Sequence, residues 1–282
     1  MAERAAYLHR MKFKEIFYLL GLKPKLRTYG HRVETVELAP GDGIEFAKWL
    51  HPASRPEPID AEQIAALSEF LKPGDTAIDI GAQIGDTTVP MALAAGAKGC
   101  VFAFEPNPGA FAVLEANAAL NRDRVRIVPY PYAAADGPGR LVFRYSDPGL
   151  CNGGELKGLS RWRHAHAFEI EVETIHAETL LRERHPEEIA RLRYLKVDSE
   201  GADLRILQSM AGLVDEFRPY IRCEVYRHLP REEREELFRF FLDRGYGIHH
   251  FLDAKTYRGP RLGVEDVCHK EHYDLLAVPT GS

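Results

Sequence analysis

The stretch TAIDIGAQIGDTT, residues 76 to 88, sets two acids, Asp79 and Asp86, around a loop bracketed by Gly81 and Gly85. A glycine turn that follows a strand and opens a helix commonly cradles phosphate in the pattern G-x-G-x-x-G. Here the three glycine positions hold Gly81, Gln83 and Asp86. A side chain replaces the glycine that would let backbone approach a pyrophosphate, and an acid stands where a helix N-terminus would attract one. Such a loop suits a cationic ligand better than a dinucleotide. S-adenosylmethionine has that chemistry: a sulfonium, an α-ammonium and no phosphate. A third acid, Glu105, ends the apolar run VFAFE, where a carboxylate can accept hydrogen bonds from both hydroxyls of a ribose. NAD enzymes use an acid in the same way, so the loop, not Glu105, separates the two cofactors.

Asp198 and Glu200 in KVDSEG form a second acidic pair at the end of an apolar run. Two carboxylates there can orient a hydroxyl, act as base or hold a divalent metal, but spacing offers no third ligand and no metal is assigned. The plainer reading makes them helix N-terminal acids, with Asp198 or Ser199 capping a helix that begins near Ala202. His164 and His166, in SRWRHAHAF, would share one face of a strand and offer a neutral imidazole as proton acceptor. Solvated loop histidines are the alternative. Arg161 and Arg163 are candidates for an anionic group on the substrate or simply a solvated face. CHKEH, at 268 to 272, is half of a zinc-like motif without its second half.

These residues need a scaffold, and the sequence supplies alternating strands and helices from residue 59 onward. TAIDI, CVFAFE, RVRIVPY, RYLKVD and YIRCEVY read as strands, with helices between them. Asn107 and Pro108 mark one helix start as N-cap and first helical residue. Such alternation predicts a mainly parallel, doubly wound sheet covered on both faces. The closing runs YGIHHFL and YDLLAVP predict an antiparallel hairpin at one edge. Residues 136 to 180 read as a longer, less regular insert suited to substrate contacts. REEREE, at 231 to 236, reads as the exposed side of a helix. Ahead of this region, 1 to 57 read as a separate extension: an amphipathic helix, then a hairpin of VETVEL and IEFAKWL about APGDG, then the proline-rich link HPASRPEP.

The 282 residues carry a net charge of −5, which gives no support to nucleic-acid binding. No apolar run approaches the ~20 residues that span a bilayer, so no stable membrane insertion is expected. The N-terminus lacks the apolar core and cleavage site of a signal peptide, and the four cysteines are widely spaced. Reduced thiols in a cytoplasmic protein fit that pattern.

TAIDIGAQIGDTT, VFAFEPNP and YLKVDSEGADLRIL together resemble the three signature blocks of the FkbM-type family of S-adenosylmethionine-dependent methyltransferases. The likeness spans about residues 59 to 226, and KVDSEGA is its most specific part. It implies a class I, Rossmann-like fold with a seven-stranded sheet and an antiparallel edge, and methyl transfer usually to oxygen. By position it implies that Asp79, Gly81, Ala82, Gln83, Gly85, Asp86 and Thr87 line the methionine part of the cofactor. Glu105 would take the ribose, with Pro106 and Asn107 flanking the adenosine and Tyr132 and Ala133 near the adenine. Asp198 and Glu200 would sit beside the methionine end and the substrate. Gln83 departs from the family's usual Asn, and TIHAETLL replaces a family Leu-Asp-Asp stretch, so no role carries over to those acids.

The expectation is therefore a cytoplasmic methyltransferase domain over 58 to 282 with an N-terminal cap over 1 to 57. It would methylate a hydroxyl of a small-molecule or sugar-like acceptor, with Asp198, Glu200, His164 or His166 taking the proton. The cap would cover the sheet, close the pocket or form a homodimer contact. The alternatives are an NAD-dependent Rossmann oxidoreductase and a non-catalytic S-adenosylmethionine-binding partner protein.

Overall fold

The computed structural model describes residues 25–145, 147–151, 153–154 and 168–281. The expected N-terminal amphipathic helix, Arg161, Arg163, His164 and His166 lie outside the described residues.

A hairpin comes first. Strands β1 (His31–Ala39) and β2 (Asp42–Trp49) pair antiparallel about Pro40 and Gly41, with Gly41 at φ 79°. Helix α1 (Ala61–Leu67) starts where the Asp60 carboxylate accepts the Gln63 N–H. It leads into β3 (Thr76–Ile80), α2 (Thr88–Ala95), β4 (Cys100–Phe104), α3 (Pro108–Ala119) and β5 (Ile127–Tyr130). Asn107 caps α3 with Pro108 as its first residue, as its sequence predicts.

The insert is more regular than its composition suggests. Strands β6 (Ala133–Ala134), β7 (Gly139–Tyr145), β8 (Gly153–Gly154) and β9 (Phe168–Ile175) form a separate small sheet, ordered β6-β9-β7-β8. The ladder between β7 and β9 runs from Gly139 opposite Thr174 to Tyr145 opposite Phe168. Strand β9, FEIEVETI, alternates apolar and charged residues, and β7, RLVFRY, does so except at the exposed Val142, a period-two signal among the Gly, His and Arg that suggested irregular chain. Helices α4 (Ala177–Arg184) and α5 (Pro186–Ile189) then return the chain to the main sheet.

There follow β10 (Leu192–Val197), α6 (Asp203–Ser209), α7 (Ala211–Phe217), β11 (Tyr220–Val225), α8 (Arg231–Leu242), β12 (Tyr246–His250), β13 (Arg261–Leu262) and β14 (Tyr273–Pro279). The main sheet has the order β13-β12-β14-β11-β10-β3-β4-β5. Its first seven-strand frame, β12 to β5, is the expected one, and the two-residue β13 extends it. Strands β11, β10, β3, β4 and β5 are parallel, and β14 runs antiparallel between β11 and β12.

Each central strand is buried on both faces. On one side Ile78, Ile80, Phe102, Phe104, Leu195 and Val197 meet α4 to α8. On the other, Ala77, Val101, Ala103 and Tyr194 meet α1, α2, α3 and strand β2. Fully buried side chains such as Phe102 and Phe104 contribute about 1.5–3 kcal/mol each. Cys100, Cys151 and Cys223 are buried free thiols, and Cys268 is exposed. No helix among the described residues is long and apolar enough to cross a membrane.

The exposed reading of REEREE fails at Arg234. That guanidinium is buried and donates to the carbonyls of Tyr226, Arg227, Leu229, Val267, Lys270 and Glu271. The polar run hid one residue turned inward, where carbonyls from two loops replace its lost water.

Candidate active site

The carboxyl ends of β3, β4, β10 and β11 border a cavity of about 300 Å³, with Leu141, Phe143 and Tyr145 of β7 on a further wall. The glycine loop forms the near side. Gly81 and Gly85 take φ of 78° and 92°, conformations that glycine adopts without a side-chain penalty, and Gln83 is held at 47°. The Gly81 and Ala82 N–H groups both donate to the Phe104 carbonyl, which ties the loop to β4.

Asp79 does not face the cavity. It is fully buried, its Oδ2 accepts the hydroxyls of Thr87 at 3.0 Å and Thr88 at 2.7 Å, and its Oδ1 lies 3.3 Å from Lys196 Nζ. Strand alternation turns this side chain into the sheet face under α2, where its contacts with Thr87, Thr88 and Lys196 fix the loop. Ala82 and Gly85 also lie outside the lining. Gly81, Gln83, Asp86, Thr87, Glu105, Pro106, Asn107, Tyr132, Ala133, Asp198 and Glu200 all line the cavity.

Glu105 is buried, yet both its oxygens are held: Oε2 accepts the Gln83 N–H and Oε1 the Asn107 N–H, each at 2.8 Å. Burial raises its pKa to about 7 against the opposing pull of these two bonds. A carboxylate has about four acceptor positions, so two remain for ligand hydroxyls. Asp86 is raised by burial to about 6, and its Oδ2 accepts the N–H of Glu57 at 2.8 Å.

On the β10 side Lys196 is sandwiched, with its ammonium 3.3 Å from Asp79, 3.3 Å from Asp198 and 3.3 Å from the Gly81 carbonyl it donates to. Burial alone would strip its proton, but the two carboxylates prevail and hold its pKa above the usual lysine range. Burial pushes the Asp198 carboxyl up, while Lys196 and Arg222 outweigh it and keep the group below its ordinary range. Glu200 is exposed at φ 55°, and burial of its surroundings and the Asp198 charge both raise its pKa. Neither Asp198 nor Ser199 caps α6. The first-turn Asp203 folds back instead and accepts the Ser199 and Gly201 N–H groups at 3.1 Å. Beside this turn burial raises the pKa of Glu224 to about 10, and the charges of Asp198, Asp203 and Glu200 add to it.

Two outer segments clasp one another at the cavity's edge. His51 Nδ1 accepts the Ala53 N–H, which leaves Nε2 as the donor to Asp147 Oδ1 at 2.9 Å. The Arg27 N–H donates to the Pro148 carbonyl, and the Asn107 amide to that of Leu150. Asn117 of α3 accepts the Ala47 N–H and donates to the carbonyls of Ala47 and Ile84, so it joins the hairpin to the glycine loop.

The sequence family described as the Methyltransferase FkbM domain matches residues 79–248. The chain belongs to that family. Among its FkbM relatives and neighbours, the hexuronic acid methyltransferase AglP of Haloferax volcanii is 29% identical over 155 residues, 54% of this chain and 57% of AglP. The 31-O-demethyl-FK506 methyltransferase FkbM of Streptomyces tacrolimicus is 29% identical over 175 residues, 54% of this chain and 64% of that protein. The chain thus spans less than two thirds of either relative. The crystal structure of the FkbM methyltransferase from Methylobacillus flagellatus KT is 14% identical, with a TM-score of 0.44, and covers 76% of this chain and 50% of its own.

Several lining residues escaped the sequence reading. Lys196 and Arg222 are cations inside apolar strands, LKV and IRC, and a buried cation requires partners nearby. That signal was available. Glu57 lies ahead of the FkbM match, and nothing in its proline-rich surroundings marks it as a cavity residue.

Proposed function

We propose that this methyltransferase uses S-adenosylmethionine and transfers its methyl group to a hydroxyl oxygen of a small-molecule or sugar-like acceptor. The reading rests on Glu105: a carboxylate fixed by the Gln83 and Asn107 amides, on a cavity wall where the neighbouring loop carries Gln83 and Asp86 in place of phosphate-binding glycines. The residues fit the cofactor in charge: Glu57, Asp86, Glu105, Asp198 and Glu200 line the cavity beside three cations, Lys196, Arg205 and Arg222, of which Lys196 and Arg222 are already paired with Asp79, Asp198 and Asp274.

When bound, S-adenosylmethionine supplies an electrophilic methyl on a sulfonium. Glu105 would hold the ribose hydroxyls, and the Gly81–Thr87 loop the methionine part. Tyr132 and Ala133 would border the adenine, with Leu141, Phe143 and Tyr145 excluding water from the same wall. Asp198 is a weak base because Lys196 and Arg222 stabilise its charge, so it would orient the acceptor hydroxyl. Glu200, with its raised pKa, is the better proton acceptor near neutral pH. Positioning and water exclusion would contribute most of the acceleration. The sugar-like acceptor takes support from the hexuronic acid in one relative's name, and the oxygen acceptor from the 31-O-demethyl wording in the other's. We place the protein in the cytoplasm.

The test is thermal unfolding with saturating S-adenosylhomocysteine, NAD⁺ and NADH in parallel. Ligand at 100 times its dissociation constant adds about 2.7 kcal/mol, or roughly 5–10 °C. A rise with S-adenosylhomocysteine alone is expected. A rise with the nicotinamides alone would overturn the reading in favour of an oxidoreductase. Labelled methyl transfer into a pool of sugar acids and hydroxylated small molecules, lost in Glu200→Gln, separates an enzyme from a binding protein.

A further inference from the structure

We propose that Glu57, in the linker between the hairpin and α1, supplies a carboxylate for the α-ammonium of S-adenosylmethionine, so that the N-terminal segment forms part of the cofactor site. This rests on the cofactor reading above. Glu57 lines the cavity, and its Oε2 is buried without a hydrogen-bond partner among the described residues. A buried carboxylate oxygen without a donor is costly, and a ligand ammonium would satisfy it.

Arg222 is not the partner that explains Glu57. Its nearest nitrogen, Nη2, lies 3.8 Å from Glu57 Oε1, while Nε and Nη2 each lie 2.7 Å from Asp274 Oδ2. The guanidinium also sits 4.0 Å over the Phe251 ring. These contacts hold Arg222 on Asp274 and leave Glu57 at the margin of an ion pair.

The backbone holds Glu57 in place. Its N–H donates to Asp86 Oδ2, so two acids stand side by side at the entry to α2. Their mutual repulsion adds to the burial that raises Asp86, and a cation between them would relieve both.

Sheet order decides which end of the cofactor this pair serves. Glu105 directly follows β4, and the Arg222 beside Glu57 stands on β11, with β3 and β10 between. Three strand spacings of about 4.8 Å separate β4 from β11, roughly 14 Å. With the ribose on Glu105, Glu57 therefore stands toward the amino-acid end. Glu57 lies ahead of residues 79–248, which match the family.

The experiment is titration calorimetry of Glu57→Gln with two ligands. S-adenosylhomocysteine carries the α-ammonium, and 5′-methylthioadenosine lacks the whole amino-acid end. Gln keeps the backbone donor to Asp86, and an unfolding midpoint close to wild type checks that the linker stays seated. The variant should bind S-adenosylhomocysteine about ten- to a hundred-fold more weakly and 5′-methylthioadenosine unchanged. Unchanged affinity for both ligands, or an equal loss for both, overturns the role of Glu57 while the cofactor reading stands. Wild-type protein that binds neither ligand overturns both.

Discussion

Gly81 packs against the backbone carbonyl of Asp198, so closely that a β-carbon on Gly81 would overlap that oxygen. The loop after β3 and the central acid are thus in backbone contact, which only glycine permits. Gly81→Ala should destabilise the protein by about 2–5 kcal/mol, since it adds a collision to a positive φ. Gly74 has φ of 98° with open space around it, so Gly74→Ala should cost only about 1–2 kcal/mol. Urea unfolding of both variants measures the difference. Equal losses would assign the whole effect to backbone conformation.

Arg234 should be among the most sensitive residues outside the cavity. Removing the guanidinium takes a donor from six carbonyls, of which Tyr226 keeps the Leu229 N–H and Val267 the Tyr273 hydroxyl. Arg234→Ala is expected to cost about 3–5 kcal/mol. Arg234→Lys should recover little, because one ammonium cannot replace a fork that reaches two loops. Denaturant midpoints for the two variants provide the check.

Asn117 joins the hairpin to α3 and the glycine loop through one amide. Asn117→Ala should lose about 2–3 kcal/mol and speed protease cleavage between residues 25 and 57. Stability loss with unchanged cleavage there would mean that Ile44, Phe46 and Trp49, with the Asn121 and Arg124 bonds to Glu45, Asp42 and Gly43, hold the hairpin down without Asn117.

The raised pKa of Glu105 predicts a pH trend for unliganded protein. Its ordinary value is 4.5 and its folded value about 7, so the native state keeps a proton that the unfolded chain releases. The resulting stability is present below about pH 4.5 and disappears as pH rises through 7. For Glu105 it amounts to no more than about 3 kcal/mol. Unfolding midpoints at pH 5 and pH 8 should fall less in Glu105→Gln than in wild type. Asp86, raised to about 6, and Asp203, raised to about 7, leave part of the fall in place. Parallel slopes in the two proteins would mean that Glu105 titrates normally.

Strand–helix alternation was legible because fully buried strands are short apolar runs between turn residues, and TAIDI, CVFAF and YLKV all have that form. The glycine loop and Glu105 were legible for a chemical reason, as polar residues at the ends of apolar strands. The inward turn of Asp79 was not, since one residue of register decides whether a strand-end acid meets ligand or core. Arg234 was hidden by the charged residues around it. The small sheet of the insert was hidden by the residues between its strands. The Glu57, His51 and Asn117 contacts join segments far apart in sequence, and no local pattern encodes them.

Strand β14 lies between β11 and β12, although both precede it in the chain. During synthesis, β11 and β12 emerge with no strand to separate them, and each presents a bare row of peptide groups until residues 273 to 279 arrive. Direct pairing of β11 with β12 would have to be undone before the sheet could finish. The last strand therefore acts as a keystone. A ribosome stalled before it holds an adhesive sheet edge, and chaperone capture should be most frequent at that length.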